Sequence, residues 1–388
     1  MPSVAERSAR ITVVPLPDKL RKESELGAQV HLNGVTLDAL SSQDISTLRQ
    51  ALYDHSVLVI KGVKDLDATL VPELCKIWDE NQLGVHGHGK NMNDKGNILT
   101  ANHAARVPHA PQVSIIGNGD FEDHFGTGEL KLRHVEHTSF HHDPLPAAQI
   151  QAGETRFYRW HIDAPLYELQ PAKVTMLYSF INPAADPQFI SFENGDRLDL
   201  AAGATCFFSG NKLWNLLSPE DQEWALNTTV QYAPKPYNFM MNCKASSDGL
   251  TIVSEGKETA LAEMSFEWAK VQSHPLVWRN PGRPDRPSVQ ALGCCLYSLT
   301  TTRPDGSTET VTDLAQARRR IHALQRKMMA PSLIYAHAYE KDDLVIFNNH
   351  AVSHSITGQL DVLQRLFWQC NLASKDAPQA ARREEIFV

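Results

Sequence analysis

The pattern of apolar and polar positions along the chain predicts many short strands and few helices. Residues 43–54 place Ile45, Leu48 and Leu52 on one face at helical spacing, with Ser42 as a candidate N-cap, which predicts an amphipathic helix. The remaining segments are expected to be helices over 67–82 and 312–328, and strands over 11–16, 28–38, 56–61, 112–116, 155–163, 173–181, 188–191, 204–208, 227–232, 343–348 and 362–372. Many short strands beside few helices favour a mainly β fold with flanking helices, a barrel or jelly roll, over a βαβ array.

A long stretch of the chain carries little periodic pattern. Between 84 and 150 the sequence is rich in Gly, His, Asn and Pro, which predicts long loops. Loops of this length inside a compact domain usually carry function. We therefore expect a single domain over 1–388, in which 84–150 forms loops or a lid near a site and 375–388 forms a short flexible tail.

Composition narrows the function classes. The formal net charge of −8 and the short basic runs argue against a nucleic-acid-binding surface. The six cysteines form no CxxC pair, which argues against a disulfide framework or a zinc ribbon, and no apolar run approaches membrane-spanning length. We expect a cytoplasmic protein that has no nucleic-acid or membrane partner and that can form a homo-oligomer.

The motif Trp160-His161-Ile162-Asp163 ends a run of strand-forming residues. Alternate side chains of a strand share a face, so His161 and Asp163 are expected to point the same way and to bind one cation. A rival pair, His141-His142-Asp143, precedes Pro144 in a Pro-rich loop rather than a strand, and is less suited to the role.

A second histidine is expected from the segment 348–354, where His350 and His354 are both candidates. Two histidines and one carboxylate on one face of an octahedron leave three positions open, which suits iron(II) oxygenases. The same ligand set also suits zinc, so a zinc hydrolase is an alternative.

Polar side chains alternate along the last predicted strand. Arg365, Phe367, Gln369 and Asn371 are expected on one face, and inward polar groups are costly to bury unless they bind something polar. The planar fork of Arg365 suits a carboxylate. A hairpin from His354 to Arg365 would bring the metal ligand and the arginine into one cavity.

The HxD motif, the distal histidine and an arginine eleven residues after it resemble the TauD-type 2-oxoglutarate-dependent dioxygenases, and more closely the fungal xanthine dioxygenases. The stretches that carry the resemblance are 43–61, 88–90, 111–113, 140–144, 155–164, 166–167 and 366–373. The resemblance spans nearly the whole chain, and its specific parts lie around His161 and Cys370.

The resemblance implies a double-stranded β-helix and a set of site residues. It implies iron(II) on His161, Asp163 and His354, the co-substrate 2-oxoglutarate on Arg365 and Thr175, dioxygen as second co-substrate, and the primary substrate near Gln112, Arg133, Gln369 and Asn371.

The sequence also departs from the xanthine-type pattern. Ala148 and Gln149 stand where related enzymes carry acidic residues, and His350 and Trp368 where they tend to carry arginine. The expected reaction is hydroxylation of a small molecule, xanthine to urate, or the same chemistry on another heterocycle or a fungal secondary metabolite. A catalytically inactive binding protein on the same barrel is a further alternative of another class.

Overall fold

The computed structural model describes residues 9–87 and 103–387, and within those residues it contains twenty strands and ten α-helices. The strands are β1 (Thr12–Pro15), β2 (Ala28–His31), β3 (Val57–Ile60), β4 (Ala105–Val107), β5 (Ala110–Phe121), β6 (Leu130–Leu132), β7 (Val174–Ile181), β8 (Gln188–Ser191), β9 (Arg197–Leu200), β10 (Thr205–Ser209), β11 (Thr228–Tyr232), β12 (Ser273–Pro275), β13 (Val277–Trp278), β14 (Ser288–Val289), β15 (Leu296–Thr302), β16 (Thr308–Val311), β17 (Tyr335–His337), β18 (Leu344–Asn348), β19 (Val352–Ile356) and β20 (Arg365–Asn371). The helices are α1 (Asp18–Arg21), α2 (Ser42–His55), α3 (Leu70–Cys75), α4 (His137–Phe140), α5 (Ala147–Gln151), α6 (Gly210–Leu216), α7 (Pro219–Leu226), α8 (Pro236–Phe239), α9 (Leu314–Gln325) and α10 (Arg383–Ile386).

Two sheets face each other and form the predicted jelly roll, which confirms the fold class. The larger sheet has nine strands in the order β1-β2-β3-β18-β7-β20-β5-β4, with β6 paired to β5. The smaller sheet has the order β17-β10-β19. Apolar side chains from both sheets pack between them, including Phe207 on β10, Phe347 on β18, Val352 on β19 and Phe367 on β20.

Helices α2 and α3 cover the outer face of the larger sheet. Leu48 and Leu52 of α2 pack in one apolar cluster with Leu58 of β3, as the helical spacing predicts. Helix α2 begins one residue earlier than expected, because Ser41 rather than Ser42 forms the N-cap in a capping box with Asp44.

A close approach of two strands fixes where Arg365 lies. A Cβ atom at Gly117 of β5 would stand 1.9 Å from the carbonyl oxygen of Arg365 on β20, so only glycine fits there. The pairing of β20 with β7 also shifts register between Leu366 and Phe367. The backbone around Arg365 is therefore tightly constrained by both neighbouring strands.

The predicted hairpin from His354 to Arg365 is wrong. Strand β19 pairs with β10 in the smaller sheet, whereas β20 pairs with β5 and β7 in the larger one. The two residues still approach one cavity, because the chain crosses from one sheet to the facing sheet between the two strands.

The predicted strand over 155–163 is also wrong as a regular strand. Its N–H groups donate to several separate segments rather than to one neighbouring strand: Tyr158 N donates to the Ile356 carbonyl at 2.9 Å, and Trp160 N donates to the Gly249 carbonyl at 3.1 Å. The segment is therefore extended along the edge of β19 but forms only isolated bridges, one of them between His161 and His354.

The region 84–150 contains more regular structure than expected, namely β4, β5, β6, α4 and α5. Residues 88–102, including the 88–90 stretch of the resemblance, lie outside the described residues, and a lid stays a prediction. The single domain and the flexible tail over 375–388 also stay predictions; in this tail, both carboxylate oxygens of Glu385 pair with the Arg279 guanidinium at 2.7 and 2.8 Å.

Among the described helices, none combines the length and the apolarity needed to span a bilayer. The cytoplasmic location and a homo-oligomeric state stay predictions.

Candidate active site

His161, Asp163 and His354 come together as predicted. Their candidate ligand atoms all lie within 4.8 Å of one another, and no other such group of His, Cys, Asp and Glu occurs among the residues that the structure describes. The Nε2 atom of His354 lies 3.7 Å from Oδ2 of Asp163. These separations fit three ligands around one ion.

The backbone brings the two histidines together. His161 N donates to the His354 carbonyl at 2.9 Å, and His354 N donates to the His161 carbonyl at 2.8 Å. The ring centroids are consequently 4.1 Å apart. His161 Nδ1 lies 2.9 Å from the Arg159 carbonyl, which can only accept, so Nδ1 carries the proton and Nε2 is left for an ion.

Two side chains hold Asp163. The Thr175 hydroxyl donates to Oδ2 at 2.7 Å. The Asn349 side chain accepts from Asp163 N at 2.8 Å and donates to the carbonyls of Asp163 and Ala172 at 2.9 and 2.8 Å. Asn349 lies within the segment 348–354 that the sequence singled out, but its role depends on contacts that the sequence does not indicate.

Burial keeps the two histidines neutral. It lowers the pKa of His161 well below its ordinary value, and the neighbouring His354 ring lowers it further. Burial also lowers the pKa of His354 to about 3. A neutral imidazole is the form that binds a metal, so both rings are ready to bind an ion at neutral pH.

The rival ligands lie elsewhere. His350 packs edge-on against Trp278, with ring centroids 4.8 Å apart. In the rival HxD pair, His141 directs Nε2 to the Tyr158 carbonyl at 2.9 Å, while the exposed Asp143 contacts His142. None of these residues belongs to the group around His161.

A cavity of about 150 Å³ opens beside the triad. Its lining consists of Ile116, Gly117, Arg133, His134, Val135, Tyr158, Arg159, His161, Asp163, Leu177, Thr205, Tyr237, His354, Ile356, Arg365 and Gln369.

Arg365 enters this cavity without a carboxylate partner among the described residues. Its side chain is 3% exposed, its Nε has no hydrogen-bond partner, and its guanidinium carbon lies 3.8 Å from the Phe367 ring centroid. Burial lowers the pKa of Arg365 to about 10, so the group is still charged at neutral pH. Burying an unpaired cation costs free energy, so this position favours the binding of an anion.

Two threonines near the site, Thr175 and Thr205, have different surroundings. Thr175 does not line the cavity, because its hydroxyl is directed to Asp163. Thr205 on β10 does line it and accepts a hydrogen bond from the Tyr339 hydroxyl at 3.1 Å. Thr205 was not predicted as a site residue, because it lies in a run of five buried residues that show no alternation of polar and apolar side chains.

The four residues expected near the primary substrate divide into two pairs. Arg133 and Gln369 line the cavity, and the Arg133 guanidinium pairs with Asp120 at 2.7 Å. Gln112 and Asn371 do not line it; Asn371 is fully buried, and its side-chain oxygen lies 3.4 Å from the backbone nitrogen of Gly87.

Arg159 and His134 also line the cavity, and neither was predicted from the sequence. Arg159 is 5% exposed, and its guanidinium carbon lies 5.0 Å from the Tyr237 ring centroid. His134 donates from Nε2 to the Thr357 carbonyl at 2.6 Å. Arg159 stands two residues before His161, and the alternation that pairs His161 with Asp163 also indicates its position.

Known proteins share this sequence pattern over nearly the whole chain. The taurine catabolism dioxygenase TauD, TfdA family matches residues 12–370. The alpha-ketoglutarate-dependent xanthine dioxygenase xanA of Emericella nidulans is 36% identical over 368 residues, covering 94% of this chain and 97% of the relative. The corresponding xanthine dioxygenase xan1 of Schizosaccharomyces pombe is 33% identical over 382 residues, covering 97% and 91%.

Solved structures share the fold. A putative alpha-ketoglutarate-dependent taurine dioxygenase from Burkholderia xenovorans aligns with a TM-score of 0.54 at 16% identity, covering 95% of this chain and 94% of that one. AAD-2, solved in complex with Mn(II) and N-oxalylglycine, aligns with a TM-score of 0.52 at 13% identity, covering 95% and 99%. The family match and the extent of the sequence identity establish that this chain belongs to the taurine catabolism dioxygenase TauD, TfdA family.

Proposed function

We propose that this dioxygenase uses iron(II), 2-oxoglutarate and dioxygen to hydroxylate a small heterocycle, xanthine, to urate. The observation that carries the proposal is one cavity that contains both a His-Asp-His triad and a buried arginine without a carboxylate partner among the described residues.

The residues fit the metal. Two neutral imidazoles and one carboxylate on one side of an ion leave open positions for a chelating co-substrate and for dioxygen. His161, Asp163 and His354 would hold the iron, which supplies the oxidising chemistry together with its two co-substrates when bound. A zinc hydrolase would need the triad but would leave Arg365 without a ligand.

Arg365 would bind the far carboxylate of 2-oxoglutarate, whose keto-acid end reaches toward the triad. The guanidinium is charged and buried, and the backbone of Arg365 is constrained by the close approach of Gly117. We propose Thr205 rather than Thr175 as its hydroxyl partner, because Thr205 lines the cavity while Thr175 donates to Asp163. Thr175 would instead orient the carboxylate of Asp163 toward the ion.

The primary substrate would lie beside Gln369 and Arg133, which line the same cavity. The names of the two fungal relatives favour xanthine. Gln112 lies in an irregular part of β5 and outside the cavity lining, so it stays a proposed substrate contact on the resemblance alone. Asn371, two residues after Gln369 on β20, stays a proposed support for it.

The departures from the xanthine-type pattern lie away from this cavity. Ala148 and Gln149 belong to α5, and Gln149 lines a different hollow. His350 packs on Trp278, and Trp368 lies in the outer apolar layer, where its indole N–H donates to His124 at 2.9 Å. The four changes therefore alter no residue that lines the cavity beside the triad.

The test is turnover with defined components. Protein loaded anaerobically with iron(II) should develop a weak visible absorption band on addition of 2-oxoglutarate. Oxygen and xanthine should then yield succinate and urate in equal amounts. Absence of the band would overturn the co-substrate assignment, and a band without xanthine-stimulated succinate would overturn xanthine alone.

A further inference from the structure

We propose that Arg159 is the substrate-recognition residue of this cavity, and that it binds a negatively charged, oxygen-bearing edge of the heterocycle. The inference rests on the proposed function and deepens it. The primary substrate is bound as a monoanion beside the triad, against an aromatic wall formed by Tyr158 and Tyr237.

Arg159 is a buried cation with no acidic partner. It lines the cavity at 5% exposure, its Nε has no hydrogen-bond partner, and no carboxylate among the described residues pairs with it. Its guanidinium lies among the rings of Phe140, Tyr158 and Tyr237, whose centroids are 5.6, 5.6 and 5.0 Å from the guanidinium carbon. Ring faces offset only part of the cost of burying a guanidinium, so the group still favours an anion.

Among the described lining residues, Arg159 carries a positive charge that no other group in the cavity compensates. Asp163, a divalent ion and a doubly charged co-substrate together carry one negative charge, which Arg365 cancels. Arg133 is paired with Asp120 at the surface. The positive charge of Arg159 is then unmatched, and one negative charge on the primary substrate would match it.

The position of Arg159 favours the substrate over the co-substrate. Its carbonyl accepts the hydrogen bond from His161 Nδ1, so its backbone is tied to the triad. Its guanidinium lies against Tyr158 and Tyr237, which line the cavity too. Arg365 instead lies on the facing sheet, against Phe367. A planar ring beside the aromatic wall would present its oxygens to the Arg159 fork.

The experiment measures binding without turnover. Protein loaded with Mn(II) and N-oxalylglycine, a non-reacting analogue of 2-oxoglutarate, is titrated calorimetrically with xanthine and with urate, which is a monoanion at neutral pH. Arg159→Gln should weaken binding of both probes about 10- to 150-fold, the range for loss of a hydrogen bond to a charged group. Arg156→Gln, from the same segment but outside the cavity, should bind both as the wild type does.

Binding of N-oxalylglycine and Mn(II) reports whether each variant is folded with an intact site. Both affinities should stay within about twofold of wild type, since a residue that binds only the primary substrate makes no contribution to them. Arg159→Lys keeps the charge but loses the planar fork, and it should weaken xanthine binding about tenfold. It provides the same test if Arg159→Gln does not fold.

The outcomes separate the two proposals. Unchanged xanthine and urate affinity in both Arg159 variants would overturn the inference, as would an equal loss of N-oxalylglycine affinity. If wild-type protein makes no urate from xanthine but Arg159→Gln loses urate binding, the xanthine reaction fails and the anion site stands. If the wild type binds neither probe, both are overturned.

Discussion

Asn349 fixes the backbone of a metal ligand, and its replacement should cost both stability and metal affinity. Its side chain makes three hydrogen bonds, one from Asp163 N and two to the carbonyls of Asp163 and Ala172, and it is fully buried. In Asn349→Ala all three backbone groups lose their partner in a place that excludes water.

The magnitude follows from those three groups. A buried polar group left without a partner costs about 1–3 kcal/mol. Bonds within one network are not additive, so we expect a loss of about 3–5 kcal/mol in the free energy of unfolding of the metal-free protein. Because the freed backbone no longer orients Asp163, metal affinity should also fall about 10- to 100-fold.

Chemical denaturation and a metal titration measure the two effects. Asn348→Ala is the matched control, because its side chain accepts a single hydrogen bond, from His350 N at 3.1 Å. The control should lose about 1 kcal/mol and keep its metal affinity. If Asn349→Ala behaved like Asn348→Ala in both measurements, the role of Asn349 in holding Asp163 would be refuted.

Three further predictions follow from the site. Thr175→Val removes the hydrogen bond to Asp163 and should weaken metal binding about tenfold while the KM for 2-oxoglutarate stays unchanged, whereas Thr205→Val should raise that KM about fivefold with unchanged metal affinity; the reverse pattern would restore Thr175 as the co-substrate residue. Arg365→Gln should raise the KM for 2-oxoglutarate about 10- to 150-fold in steady-state kinetics, and an unchanged value would mean that the carboxylate binds elsewhere. Burial lowers the pKa of His274 from 6.5 to about 4, so between those values the unfolded state binds more protons and stability falls as the pH falls. In metal-free protein, His274→Gln should reduce the slope of unfolding free energy against pH by up to about 1.4 kcal/mol per unit in that window, and an equal slope in both proteins would contradict the pKa shift.

Local alternation is what made the metal site predictable. His161 and Asp163 are two residues apart, so their common direction requires only an extended backbone, which the segment keeps even without regular pairing. The same holds for β20, where Arg365 and Gln369 line the cavity and Cys370 packs in the outer layer.

The sequence could not predict which of the two sheets each strand joins. Strand β19 was not predicted at all, because Ser353, His354 and Ser355 are consecutive polar residues, yet all three are buried. His354 is polar because it faces the site, whereas Ser353 and Ser355 alternate to the opposite face of the strand and do not line the cavity. The partner of Thr175 was likewise unpredictable, since alternation gives the face of a side chain but not the group that it meets there.

The placement of β19 and β20 in facing sheets has a consequence for altering the co-substrate. The span from His354 to Arg365 is set by the thickness of the apolar layer, including Phe207 and Phe367, and not by a shared hydrogen-bond ladder. Selection for a shorter or longer keto-diacid should therefore yield volume changes at those phenylalanines, which do not line the cavity.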